Sequence, residues 1–201
     1  GLFFYETTAC NGAVGSYVIM SGGTLLATSP STDFTFLRLA NDPSDGQGFA
    51  AWTTAAPSGT VRGVHHPGGS FKRFSEGFTT TDAPSCPSRP LSNYVWNDWT
   101  IGMTEGGSSG SPLFNTSWQV VGQLYGKCFV TTPGCDNPQD FNIIYGRLDV
   151  TYPSIASFLN TVTPDDAYED NDTASQPASL ALGAHALRLV LVARRHVGVQ
   201  R

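Results

Sequence analysis

Short strand-like runs, each closed by a turn signal, limit what this chain can fold into. The runs are Gly1 to Glu6, Ser16 to Met20, Thr24 to Ala27, Thr35 to Leu39, Phe49 to Trp52 and Thr60 to His65. They continue with Phe71 to Phe74, Tyr94 to Trp99, Ser111 to Phe114, Gln119 to Tyr125 and Asn142 to Asp149. Between them stand Asn11-Gly12, Asp42-Pro43 and Pro67-Gly68-Gly69, residues that fix φ or tolerate positive φ. Many short strands at such spacing predict an all-β barrel or sandwich. Only Tyr152 to Val162 reads as helix, with Pro153 near its start and Ile155, Phe158, Leu159 and Val162 at helical spacing.

Composition narrows the class. The 201 residues are 13% charged and 40% hydrophobic, with 22 Gly, 13 Pro and 12 Phe. A disordered chain carries more charge and fewer aromatics. No run of apolar residues is long enough for a transmembrane helix, so no membrane partner is expected. A net charge of −5 with only Lys72 and Lys127 as lysines argues against a nucleic-acid partner. The four cysteines, Cys10, Cys86, Cys128 and Cys135, contain no CxxC pair. An even count fits disulfides in an oxidising compartment, and hence a secreted protein, with three pairings possible. Cys128 and Cys135 close the shortest loop.

Composition shifts after about residue 160. Five acids fall between Asp165 and Asp172, and none follows. The expected organisation is a β domain over 1–162, an acidic linker over 163–175 and, over 176–201, the truncated start of a separate small β domain or a disordered tail. The acids have the oxygen chemistry for calcium but not an EF-hand spacing, so a solvated linker is the simpler reading and no metal or cofactor is expected.

The stretch with chemical content is Thr104-Glu105-Gly106-Gly107-Ser108-Ser109-Gly110-Ser111-Pro112. Glycines permit a tight turn whose backbone N–H groups converge on one point. A serine at its apex would stand beside those donors, which is what acyl transfer needs. Composition alone fits a flexible Gly/Ser loop better.

The segment and its sequel, Val120-Val121-Gly122-Gln123-Leu124-Tyr125-Gly126, resemble the chymotrypsin-like (trypsin-fold) serine endopeptidases. The resemblance is closest to the bacterial secreted lysyl-endopeptidase branch. Thr32-Asp33-Phe34-Thr35-Phe36-Leu37-Arg38-Leu39 resembles its aspartate strand, Val64-His65-His66-Pro67-Gly68 its entry to the second barrel, and Tyr145-Gly146-Arg147 a late strand. The resemblance covers about residues 1–160. It implies two barrels with the first incomplete, Ser109 as nucleophile and an oxyanion hole from the N–H groups of Gly107 and Ser109. It implies Asp33 as the histidine-orienting acid, and a peptide or protein substrate laid along Leu124, Tyr125 and Gly126. Met103, Thr104 and Ile143 would line the specificity pocket of a monomeric enzyme. Lysine-specific relatives carry an acid where this chain has Ile143, so lysine preference does not carry over. Asp165 to Asp172 with Leu180 to Val190 resembles the opening of a bacterial pre-peptidase C-terminal domain, and Leu191 to Arg201 departs from it.

In this fold the triad runs His, Asp, Ser along the chain. No histidine precedes His65. The expectation is therefore an N-terminally truncated protease lacking its general base. The alternative is a non-catalytic pseudoprotease that binds peptides. Asp33, His65 and Ser109 also stand in subtilisin order, but such an α/β domain needs helices between these residues, and none is legible there. A carbohydrate-binding sandwich, raised by Trp96, Trp99 and Trp118, is weaker still, because those aromatics fit a core.

Overall fold

The structure, a computed structural model, describes residues 1–9, 12–41, 49–81, 88–127, 140–159 and 189–193. Six strands close into an antiparallel barrel: β5 (Thr60–His65), β6 (Arg73–Thr80), β7 (Tyr94–Ile101), β8 (Pro112–Phe114), β9 (Val120–Lys127) and β10 (Asp140–Arg147), in the order β10-β7-β6-β5-β8-β9. Ahead of it β1 (Leu2–Phe3) pairs with β2 (Val18–Ile19), and β3 (Gly23–Ser29) pairs with β4 (Phe34–Leu39). The fold is the expected all-β, trypsin-like one. Among the described residues only the second barrel is closed, and the first half is two open sheets.

Side-chain alternation builds the barrel. In β5, Val61, Gly63 and His65 face inward, and in β7 Val95, Asn97 and Trp99 are buried. Val61, Val95, Trp99, Leu113, Val121, Leu124, Ile143 and Tyr145 form one core. Trp99 meets Tyr145 edge-on, with ring centroids 6.2 Å apart. Gly63 makes room for both, since a Cβ there would stand 3.2 Å from the indole.

A second core joins the open sheet to the barrel. Phe34 and Phe36 of β4 pack with Leu148 and Ile155, flanked by Trp52, Val120 and Phe158. The turn before β4 is sewn to the barrel by polar contacts. Gln123 Nε2 donates to Thr32 O at 2.8 Å, Asn93 Nδ2 to Ser31 O at 3.1 Å and Tyr94 Oη to Pro30 O at 3.2 Å. The hydroxyls of Thr32 and Thr151, both buried, lie 2.7 Å apart. Gly146 lets this turn approach: a Cβ there would overlap Thr32 O and Gln123 Nε2.

Several boundaries differ from the sequence expectation. Phe49 to Trp52 contributes only a bridge from Trp52 to Val120. The run at Phe71 to Phe74 is the beginning of a longer strand, β6, whose Gly77 and Thr79-Thr80 obscure the pattern. The helix is three short pieces: α1 (Leu148–Thr151), a 3₁₀ turn (Tyr152–Ser154) and α2 (Ala156–Leu159). Pro153, with no N–H to donate, sits at the break. β11 (Leu189–Ala193) pairs antiparallel with β4, so this part of the expected separate C-terminal element shares a sheet with the aspartate strand. The acidic stretch 165–172 and all four cysteines lie outside the described residues, as does any disulfide between them. No helix among the described residues is long and apolar enough to cross a membrane.

Gly146→Ala is expected to destabilise the fold by about 2–4 kcal/mol, because the added methyl meets backbone and a buried amide rather than a flexible chain end. The urea midpoint of the variant measures it, and a loss under about 0.5 kcal/mol would show that the docked turn relaxes freely.

Candidate active site

The turn after β7 is built on positive φ. Gly107 has φ +96° and Gly110 φ +87°. Ser108 N donates to Glu105 O at 3.0 Å and Ser111 N to Ser108 O at 3.1 Å, which closes the turn on itself. β9 holds its exit: Gly110 N donates to Leu124 O and Leu124 N to Ser111 O, each at 2.9 Å. The loop after β5 holds its entry. Gly68 N donates to Gly106 O at 2.6 Å, and a Cβ on Gly107 would stand 3.1 Å from Gly68 N.

Adjacent serines have opposite fates. Ser108 is 1% exposed, whereas Ser109 is exposed and borders a cleft of about 330 Å³. Met103, Thr104, Glu105, Gly106, Leu124, Gly126 and Lys127 complete the lining. Gly107, the other expected oxyanion donor, is exposed beside Ser109. The cleft thus has an exposed hydroxyl at its lip and glycine-shaped backbone on two sides.

Of the residues expected to bind substrate, Met103, Thr104, Leu124 and Gly126 line the cleft. A Cβ on Gly126 would meet nothing within 4 Å. The register of β9 with β8 ends at Gln123, whereas its register with β10 continues to Lys127. Tyr125 points to the opposite face of β9, where its ring packs against Tyr94 at 6.0 Å and under the Arg89 guanidinium at 4.2 Å. Ile143 is buried in the barrel core. Gly106 and Lys127 line the cleft without having been singled out from sequence; their positions in the serine turn and at the end of β9 were the available signal.

Asp33 is 2% exposed and adopts φ +55°, a left-handed conformation that Asp tolerates better than most residues. One strand couples it to the turn that carries Ser109. Gln123 of β9 bonds the residue before Asp33, and Leu124, next in β9, bonds Gly110 and Ser111. Tyr94 lies within the field of Asp33. Burial raises the pKa of its phenol, Arg89 opposes that, and the Asp33 charge adds to it.

The described histidines are engaged elsewhere. His65 is buried, with Nδ1 3.0 Å from Ser108 Oγ and Nε2 3.0 Å from Ser75 Oγ. His66 donates from Nδ1 to Ser70 O at 3.0 Å. The subsidiary Asp33–His65–Ser109 triad finds no support, since both His65 nitrogens serve other serines and the architecture is all-β. Among the described residues no group of three His, Cys, Asp or Glu side chains is placed to hold a metal ion.

Comparison with known proteins identifies the family. The family model for the lysyl endopeptidase C-terminal domain matches residues 1–141. Lysyl endopeptidase of Pseudomonas aeruginosa is 30% identical over 162 residues, which cover 73% of this chain and 35% of that protein. The chain therefore spans about a third of the length of this curated relative. Two structures of the inactive form of the Mycobacterium tuberculosis protease Rv3671c align with TM-scores of 0.41. They are 15% and 16% identical, covering 71% and 67% of this chain and 67% and 65% of theirs. By the match over residues 1–141, the chain belongs to the lysyl endopeptidase family of trypsin-like proteases.

Proposed function

We propose that this chain carries the nucleophile and substrate-binding half of a secreted serine endopeptidase whose catalytic histidine lies outside residues 1–201. The observation that carries the reading is the exposed Ser109 at the lip of the cleft, on a turn whose neighbours Gly107 and Gly110 adopt positive φ. Four cysteines and a low lysine count favour secretion.

In the proposed reaction the peptide lies beside Leu124 to Gly126 as an added strand. Ser109 Oγ attacks the scissile carbonyl carbon, and its proton passes to the histidine. The carbonyl oxygen becomes an oxyanion facing the N–H groups of Gly107 and Ser109. Collapse expels the amine, which takes the proton from the histidine, and leaves an acyl-Ser109. Water, deprotonated by the same histidine, then releases the acid. Asp33, buried at the head of β4, orients the imidazole and stabilises its charged form.

Met103 on the cleft wall favours an apolar residue at the specificity subsite, and Ile143 stands where lysine-specific relatives carry an acid. The acid on the cleft lining, Glu105, is solvent-exposed, so pairing with it would offset little of the cost of desolvating an ammonium. A second reading rests on the lack of a histidine ahead of Asp33 among these residues: a pseudoprotease that binds peptides along β9 without cleaving them.

Serine-directed phosphonate is expected to label a longer natural chain, one that supplies a histidine ahead of Gly1, at Ser109 and not at Ser108. Ser109→Ala is expected to abolish the adduct. An adduct unchanged in Ser109→Ala would overturn the assignment, and a natural chain with no upstream histidine would leave the peptide-binding reading. In the histidine-bearing chain Asp33→Asn is expected to lower kcat about 10⁴-fold with little change in KM. A loss under tenfold would remove Asp33 from the triad. Leu or Phe before the scissile bond is expected to be cut at least about tenfold faster than Lys or Arg, in line with the cost of an unpaired buried charge. The opposite order in kcat/KM would show that Glu105 or another acid pairs with a basic residue in the cleft.

A further inference from the structure

Ser108 sits between the two residues whose N–H groups would form the oxyanion hole, yet its own side chain is 1% exposed. Something below the turn holds it there. Ser108 Oγ accepts from Glu105 N at 3.3 Å and lies 3.0 Å from His65 Nδ1. The far nitrogen of the ring, Nε2, lies 3.0 Å from Ser75 Oγ on β6. His65 is 2% exposed and Ser75 0%. In either neutral tautomer one ring nitrogen donates and the other accepts, so the ring links β6 to the turn through β5.

This is a costly way to fill a barrel end. The same face of β5 is filled by Val61 and Gly63, and an apolar residue at 65 would bury without polar desolvation. A buried imidazole is stable here only with its hydrogen bonds made, and both serines are arranged to make them. The linkage also coincides with close backbone packing. Gly68 N bonds Gly106 O, a Cβ on Gly107 would meet Gly68 N, and a Cβ on Gly102 would stand 2.8 Å from Ser75 Oγ. His65 and the loop that follows it thus both meet the turn from the same side.

We infer that His65 is a positioning residue for the nucleophile turn: by pinning Ser108 through Nδ1 it fixes the peptide planes that aim the Gly107 and Ser109 N–H groups at one point. The inference rests on the reading of Ser109 as nucleophile for its catalytic meaning, but not for its geometry. A peptide plane that flips at Ser108 turns one donor away and leaves the Ser109 hydroxyl in place. His65 therefore acts on oxyanion stabilisation and not on the nucleophile itself.

The test compares His65→Phe, His65→Asn and Ser108→Ala in the full chain with the core control Val61→Ala. Two readouts are taken beside the melting temperature. The first is amide hydrogen exchange and chemical shift at Glu105, Gly107, Ser108 and Ser109, which needs no catalysis. His65→Phe and Ser108→Ala are expected to speed exchange at Glu105 and Ser108 by at least about tenfold, the scale of one lost buried hydrogen bond, and to move the Gly107 and Ser109 shifts. His65→Asn, which keeps a polar atom near the Nδ1 position, is expected to stay within about threefold of the parent chain. Val61→Ala is expected to lower the melting temperature and leave these four amides unshifted. The second readout is the rate of phosphonate labelling at Ser109 in the histidine-bearing chain. It should fall about tenfold in His65→Phe and in Ser108→Ala, with no further loss in the double variant, because both remove the same hydrogen bond. Unchanged turn amides in a folded His65→Phe variant would overturn the inference, as would equal shifts in Val61→Ala. Absence of labelling in the parent chain would instead overturn the nucleophile assignment, and the amide readout would still decide the role of His65.

Discussion

The seating of Pro30 to Asp33 on the closed barrel is the contact on which the rest of the molecule depends. Three backbone carbonyls of this turn accept from Tyr94, Asn93 and Gln123, and Thr32 meets Thr151 beneath them. The carbonyl of Thr32, buried against the barrel, must be bonded or it costs more than the packing returns, and those of Pro30 and Ser31 are bonded at its rim. The barrel answers with side chains from β7, β9 and the preceding loop. Gly146 removes the one Cβ that would hold the two surfaces apart. Once the turn is seated, Phe34 and Phe36 have nowhere to go but the second core, and β4 takes its direction.

β9 is the part that both halves of the site share. Its Gln123 touches the aspartate turn, its Leu124 brackets the serine turn with two backbone bonds, and its Gly126 borders the cleft. Three consecutive features within four residues give a rigid spacing that no loop would maintain. A shift of β9 by one residue would exchange the inward Leu124 for Tyr125 and misplace all three. Tyr125 opposes that shift, because its ring is held between Tyr94 and Arg89 on the other face.

Motifs with a fixed local geometry were legible from sequence, and those whose neighbours are distant in the chain were not. The turn around Ser109 reads from its glycines because positive φ is a local demand. The strands of the barrel read from alternation. The aspartate reads only through resemblance, since nothing local distinguishes Asp33 from a turn residue. Ile143 was expected in the specificity pocket and lies in the barrel core, because two-residue alternation places it on the face of Tyr145. The start of β6 was found and its length missed, for Gly77 breaks the pattern in order to admit the Asp98 backbone. The pairing of β11 with β4 joins segments some 150 residues apart in number, and neither segment carries a mark of the other. His65 was read as part of the entry to the second barrel. Its buried bonds to Ser108 and Ser75 were illegible because Ser108 looks like any serine of a Gly/Ser loop.

A serine protease site divides into a part that moves a proton and a part that receives charge. In the proposed function this chain holds the second part complete: cleft, turn, converging N–H groups and the strand that aligns the peptide. Sites of this type stripped of a triad member still accelerate hydrolysis by about 10³–10⁴ over water, which is the share owed to oxyanion stabilisation and binding. That share depends on donors already aimed before the substrate arrives, because a donor that must first turn spends the stabilisation on its own reorganisation. The contacts beneath the turn meet this requirement. Two glycines supply the φ values, β9 fixes the exit, and Gly68 and His65 fix the entry. The proton-moving part asks less of the chain, one buried carboxylate at the head of β4. The two parts meet at Gln123 and Leu124, so the alignment of Asp33 with Ser109 is a property of one strand rather than of the relative pose of two sheets.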